Sequence, residues 1–138
     1  MPRQTDCGQV VILVVDGEVV SRNLTANTLQ RAGYAVLAAA HGREALELVQ
    51  TYDGRIDLLI TELDIPKLGG LELCEAATQA RPAMKFCAMS ANASDSERAR
   101  ARNVPFVLKP LDPELLRREF EDLLILPACS DRRPPQPL

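Results

Sequence analysis

Short apolar runs alternate along this chain with stretches in which apolar residues recur at helical intervals. Val10 to Val15 form an unbroken apolar, mostly β-branched run, the pattern of a strand covered on both faces. Residues 19 to 32 then place Val20, Leu24, Leu29 and Ala32 at roughly helical spacing, closed by Gly33, and predict a first helix. The cycle repeats with a strand over 34–39 and a helix over 43–52 that puts Ala45, Leu46, Leu48 and Val49 on one face. A third strand is expected over 57–61, a helix over 70–80 through Leu71, Cys74 and Ala77, and, beyond Pro82, a fourth strand over 84–89. Residues 94–102 predict a weak fourth helix with a capping-box pattern at Ser94 and Glu97 and mainly Ala99 and Ala101 as apolar surface. A fifth strand is expected over 104–109. After Pro110, Asp112 can cap and Pro113 can open a last helix striped by Leu116, Phe120, Leu123 and Leu124. There is no internal repeat.

Five strands alternating with five helices predict an α/β fold: a doubly wound five-stranded parallel sheet of flavodoxin-like order 2-1-3-4-5, with right-handed crossovers and helices on both faces. The domain is expected over residues 9–126. The tail 127–138, with four prolines in twelve residues, has too little apolar content to pack and is expected to be disordered. In such sheets the functional crevice lies at the carboxyl ends of the strands, where the strand order reverses. Asp16, Gly17 and Glu18 follow strand one, Glu62 ends strand three, Ser90 follows strand four and Lys109 follows strand five. An acidic cluster should therefore face a hydroxyl and an ammonium.

Composition narrows the function. At 138 residues, with 46% hydrophobic and 25% charged residues, the chain fits one globular domain. A formal net charge of −3 argues against a surface held by charge to nucleic acid or an anionic membrane, and favours a protein partner. No apolar run approaches the ~20 residues of a membrane span, and residues 1–9 lack the pattern of a signal peptide, so the expected location is the cytoplasm. Cys7, Cys74, Cys87 and Cys129 show no metal-ligand spacing with one another or with His41. Cys74 and Cys87 read as small buried hydrophobes, and Cys7 and Cys129 as the candidates for reactivity. His41 reads as a solvated loop residue. No nucleophile pattern accompanies it, and no enzyme is expected.

The strand ends resemble the receiver domain of bacterial two-component response regulators, the CheY-like family, over about residues 9 to 125. "VILVVDGE" is similar to the family's acidic first-strand ending, "DLLITELDIPKLGG" to its phosphoacceptor strand and the loop with Pro66, "AMSA" to its hydroxyl switch and "FVLKP" to its lysine–proline ending. The resemblance implies that Glu62 stands where the family has its phosphoacceptor aspartate, and Gly17 where it has one of two adjacent magnesium-binding aspartates. It makes Asp16 the remaining acid of that pair, Ser90 the switch hydroxyl, Phe106 the switch aromatic and Lys109 the cation that pairs with the acceptor. The run from Ser90 to Lys109 is shorter than the family's by about three residues, a little under one helical turn.

Those departures set the functional expectation. Phosphoryl transfer needs an in-line acceptor and a metal to neutralise charge, and the extra methylene of Glu62 displaces its carboxylate by about 1.5 Å, where misplacement of about 1 Å already costs ~10²-fold in rate. Gly17 supplies no carboxylate to Mg²⁺. No cofactor is expected, with at most weak Mg²⁺ binding through Asp16, Glu62 and the carbonyl of Asp64. The expectation is an atypical receiver acting by protein–protein interaction through its fourth-helix, fifth-strand and fifth-helix face. Its partner would be a histidine kinase, an output protein or another regulator, and a homodimer is compatible with it. Glu62 either imitates phosphate or simply pairs with Lys109 in a relic pocket. Two alternatives stand beside this: a receiver that uses Asp64 as its acceptor, and a flavodoxin-like cofactor protein, which the acidic "DGEVVSR" loop disfavours. Arg98, Arg100 and Arg102 read as a solvated face, with an acidic docking partner as the minority alternative.

Overall fold

The computed structural model describes residues 9–65 and 67–120. Its elements run β1 (Val11–Val15), α1 (Val19–Arg31), β2 (Ala35–Ala39), α2 (Gly42–Thr51), β3 (Leu58–Glu62), α3 (Gly70–Ala80), β4 (Lys85–Ser90), α4 (Ser96–Ala101), β5 (Phe106–Leu108) and α5 (Pro113–Glu119), with one 3₁₀ turn at Ala93–Asp95 before α4. All strand pairs are parallel and the order is β2-β1-β3-β4-β5, as the alternation predicts.

Side-chain alternation along each central strand divides the core into two layers. Leu13, Val15, Leu59 and Ala88 face α2, α3 and α4, where Ala45, Val49, Leu73, Cys74, Ala77 and Ala99 meet them. Ile12, Val14, Leu58, Ile60, Cys87 and Met89 face the opposite side, covered by Leu29 of α1 and Leu116 of α5. Burial on both faces explains why β1 and β3 read as continuous apolar runs.

The first helix departs from expectation. Val20 and Leu24, predicted as part of its apolar stripe, are 74% and 58% exposed, and the residues it buries are Thr25 and Leu29. Positions 21, 25 and 29 form an i, i+4, i+8 row on the inner face, so the helix carries two polar residues inward and its valines and Leu24 outward. The capping box at Ser94 and Glu97 does not form: the Asn92 side chain accepts from the Ser94 N–H at 3.1 Å, and α4 starts two residues later than predicted without a side-chain cap. Of the two alanines expected as apolar surface there, Ala99 is buried and Ala101 exposed. The fifth strand is shorter than predicted. Leu123, Leu124 and the proline-rich tail lie outside the described residues.

Local chemistry sets several boundaries. Gly33 takes a φ of +105°, the left-handed conformation that ends α1 and that side-chain-bearing residues rarely adopt. His41, expected as a loop residue, caps α2: its Nδ1 accepts from the Glu44 N–H at 3.1 Å while Glu44 Oε1 accepts from the Ala40 N–H at 2.8 Å. The Asp112 carboxylate accepts from the Glu114 N–H at 2.9 Å with Pro113 at the start of α5, as the sequence predicts. Arg81, at the end of α3, donates to the carbonyls of Val49, Tyr52 and Gly54 at 2.6, 2.6 and 2.8 Å, satisfying the open end of α2 with a single guanidinium.

Candidate functional site

The sheet register brings the strand ends together. Val15 pairs with Thr61, so Asp16 emerges beside Glu62, the last residue of β3. Gly70 opens α3 directly against this point: its N–H donates to the Leu63 carbonyl at 2.9 Å, and a methyl group on it would overlap the Glu62 carbonyl oxygen. Only glycine lets the helix start so close to the strand end. On the far side, Lys109 N–H donates to the Ser90 carbonyl at 2.9 Å, holding the end of β5 against the end of β4, and the peptide bond to Pro110 is cis.

From there the Lys109 side chain reaches back over the sheet. Its ammonium donates to Asp16 Oδ2 at 2.9 Å, to Ser21 Oγ at 2.7 Å and, in a short contact, to Glu62 Oε2. Asp16 is fully buried, and both of its carboxylate oxygens are engaged: Oδ1 accepts from the Glu18 N–H at 2.9 Å, and Oδ2 accepts from Ser21 Oγ at 2.6 Å besides Lys109. Arg22 donates to the Asp16 carbonyl at 2.9 Å. Glu18 therefore enters the site through its backbone, while its side chain is exposed.

Burial alone would raise the Asp16 carboxyl, but the hydrogen bonds from Ser21, the Glu18 N–H and Lys109 outweigh it and hold the group below its usual range. Glu62 goes the other way. Burial, with the neighbouring Asp16 charge, outweighs Lys109 and lifts it above the ordinary glutamate value. Lys109, which burial would lower, is raised by its bonds to Glu62 and Asp16.

The other predicted residues lie in a second network. Ser90 Oγ donates to Asp95 Oδ2 at 2.6 Å and accepts from the Asn92 N–H at 3.0 Å, so its hydroxyl is committed to the β4–α4 loop rather than to Glu62. Asp95 lies 3.6 Å from Arg98, and Arg98 makes a two-pronged pair with Asp64 at 3.1 and 3.2 Å. That pairing holds the Asp64 carboxyl below its usual range. Asp64 is thus exposed, paired to α4 and apart from the Lys109 cluster. Phe106 is half-buried against the core layer beneath α2, α3 and α4. Arg102 pairs with Glu75 of α3 at 2.6 Å, so Arg98 and Arg102 are ion-paired across elements as well as solvated.

Ser21 is the residue that sequence reasoning missed. Its signal was the i, i+4 row with Thr25 and Leu29, which the more hydrophobic Val20 and Leu24 obscured.

These residues do not fit a bound Mg²⁺, which takes oxygen ligands in near-octahedral geometry. Asp16 has both oxygens engaged, Glu62 Oε2 is on Lys109, and position 17 has no side-chain oxygen. Among the described residues, no group of three or more His, Cys, Asp or Glu is placed to hold a metal ion.

A doubly wound parallel sheet with carboxylates and a lysine gathered at its strand ends is the flavodoxin-like class in its signalling form. The sequence matches the response regulator receiver domain over residues 12–121, and the chain belongs to that family. A chemotaxis protein CheY homolog of Campylobacter jejuni is 32% identical over 119 residues, covering 82% of this chain and 91% of that protein. The sensor kinase CckA of Brucella abortus is 31% identical over 123 residues, covering 85% of this chain but only 13% of the kinase, so this chain corresponds to a small part of that relative. Among solved structures, chemotaxis response regulator CheY4 of Vibrio cholerae superposes with a TM-score of 0.70 at 28% identity, covering 84% of this chain and 99% of that one. Response regulator TrrA of Thermotoga maritima, solved in complex with Mg²⁺-BeF, gives 0.71 at 27% identity, covering 84% and 100%. The chain is therefore a receiver domain of two-component signalling. No helix among the described residues is long and apolar enough to cross a membrane.

Proposed function

We propose that this chain is an atypical receiver that acts by binding a protein partner without normal aspartyl phosphorylation, its state set by Glu62 held on Lys109. The observation that carries this reading is the acceptor position itself: it holds a glutamate, one methylene longer than the family's aspartate, whose carboxylate is seated on Lys109 beside Asp16, and the neighbouring position 17 has no side-chain oxygen. A carboxylate displaced by that methylene is poorly placed for in-line attack on an incoming phosphoryl group. It lacks a metal site to neutralise the transfer.

In this state the Ser90 hydroxyl is turned to Asp95, so Glu62 bears on the switch through its charge on Lys109 and not through Ser90. A modification shifts a two-state equilibrium only through differential affinity for the states, and with phosphoryl transfer disabled a fixed resting population follows. The partner is a histidine kinase, an output protein or another regulator, docking on the face of α4, β5 and α5. There a cleft of about 380 Å³ is lined by Arg100, Asn103, Val104, Phe106 and Glu119. The Asp64 alternative is less supported, because Arg98 occupies that carboxylate outside the Lys109 cluster.

Incubation with a small-molecule phosphodonor and Mg²⁺, followed by intact mass, is expected to show no phosphoryl adduct. An adduct on Glu62 overturns the reading, and one mapped to Asp64 establishes the substitute acceptor. With a partner in hand, Glu62→Gln weakens binding if the glutamate charge sets the signalling state, whereas unchanged affinity identifies a relic pocket on a constitutive scaffold.

A further inference from the structure

The pocket's cation raises a question that the acceptor position alone does not answer: what keeps Lys109 there? Its ammonium has three protons and, in this structure, three acceptors, Asp16, Glu62 and Ser21. Two of these are carboxylates at strand ends. The third is a neutral hydroxyl on the first turns of α1, and it does two jobs at once, donating to Asp16 Oδ2 at 2.6 Å and accepting from Lys109 at 2.7 Å.

We infer that Ser21 is a positioning residue that fixes Lys109 as the resident cation of the pocket, so that an ammonium and not a divalent metal neutralises Asp16 and Glu62. The inference rests on the functional reading above and adds the reason that the acidic pocket is closed to metal.

Three observations carry it. Ser21 stands one turn before Thr25 and two before Leu29 on the inner row of α1, and both of those residues are buried, so in the folded state its hydroxyl lies on the face of the helix turned to the sheet. Its bridge leaves Asp16 with no free oxygen, since Oδ1 is held by the Glu18 N–H. The Lys109 side chain is only 13% exposed, so water has little room to replace a missing acceptor. A metal ion that is to sit between Asp16 and Glu62 has to displace the Lys109 ammonium from Asp16 Oδ2 and Glu62 Oε2, the oxygens it holds together. A threonine at position 21 would keep the bridge. An alanine would leave one ammonium proton and one carboxylate lone pair without partners.

The test uses the full chain, ¹⁵N-labelled, with the Lys109 ammonium observed directly by ¹H–¹⁵N correlation at low temperature. In the wild type its protons are expected to be protected from water and to stay in place in about 10 mM MgCl₂, a concentration that would report any site of millimolar affinity. Ser21→Ala is expected to speed their exchange by about tenfold or more, the equivalent of losing one net hydrogen bond, while backbone signals away from α1 stay put. Ser21→Thr should restore protection. Independently, Lys109→Met, with two acids and no cation, should acquire a saturable Mg²⁺ response that the wild type lacks. Unchanged ammonium exchange in Ser21→Ala overturns the inference, as does saturable Mg²⁺ binding by the wild type. These outcomes are separable from the functional reading: a phosphoryl adduct would overturn that reading by mass alone, and neither ammonium exchange nor the Mg²⁺ titration involves a phosphodonor.

Discussion

Lys109 Nζ lies 2.9 Å from Asp16 Oδ2, a contact between residues 93 positions apart that ties the end of β5 to the end of β1 across the two strands between them. With Glu62 on the same ammonium, the contact closes the carboxyl edge of the sheet over four of its five strands.

Removing that cation should be expensive. Lys109→Met leaves the fully buried Asp16 facing Glu62 with no counter-charge, and breaking a buried pair in this way costs about 3–5 kcal/mol. The lower end is expected here, because the Glu62 side chain is 24% exposed and can take up a proton. Urea denaturation of the single variant and of Lys109→Met with Glu62→Gln should show the double variant to be the more stable. A loss under about 1 kcal/mol would place the cluster among ordinary surface pairs.

The two acids respond to pH with opposite signs. Asp16, held below its ordinary value of 3.8, contributes stability that is present above that pH and is lost as the pH falls through its depressed folded value. Glu62, raised above 4.5, binds its proton more tightly folded than unfolded, so its contribution declines as the pH rises from 4.5 through its raised value. Lys109, raised above 10.5, adds stability that is full below that pH and lost above it. Relative to wild type, Glu62→Gln should therefore gain stability between pH 4.5 and neutrality, because the falling contribution has been removed. Thermal unfolding across this range checks the sign, and a variant whose deficit grows with pH contradicts it.

Arg81 offers a prediction far from the site. It serves three carbonyls at the end of α2 and in the following loop, and a charged donor to buried or half-buried acceptors contributes about 1.5–3 kcal/mol net. Arg81→Ala should lower stability by about 2 kcal/mol. Arg81→Lys should recover only part of it, because one ammonium cannot reproduce the planar fork that addresses three oxygens.

Thiol reactivity should divide by burial. Cys74 is buried and its thiol pushed up to about 12, and burial pushes Cys87 up as well. The thiolate is the reactive form, so neither should be alkylated near neutral pH until the protein is unfolded. Peptide mapping after iodoacetamide, with and without denaturant, measures this directly.

What the sequence disclosed follows from which features are local. β1 and β3 were visible because apolar runs buried on both faces need no knowledge of their neighbours, and the other three strands because Gly, Pro and helical stretches bracket their short apolar runs. The gathering of Asp16, Glu62 and Lys109 followed from strand order alone, since parallel strands all end at the same edge. Other features depend on how side chains turn. Of the predicted α1 stripe Leu29 is buried, but tertiary packing turned Ser21 and Thr25 inward where Val20 and Leu24 were expected. The commitment of Ser90 to Asp95 depends on a 3₁₀ turn that replaced the expected capping box. Arg98 reaches back 34 residues to Asp64, a distance over which no local pattern gives warning.

The inverted face of α1 has one further consequence. Of its thirteen residues only Thr25 and Leu29 are buried, whereas α3 buries five of eleven, so α1 gives up little apolar contact when it separates from the sheet. Amides of α1 should accordingly exchange with solvent by local opening well before those of α3 or the central strands. Each opening carries Ser21 away from Asp16 and Lys109. The lifetime of the buried charge cluster is then governed by the fraying of a single helix, so a partner that merely clamps α1 from outside, touching none of the three charges, would lengthen that lifetime.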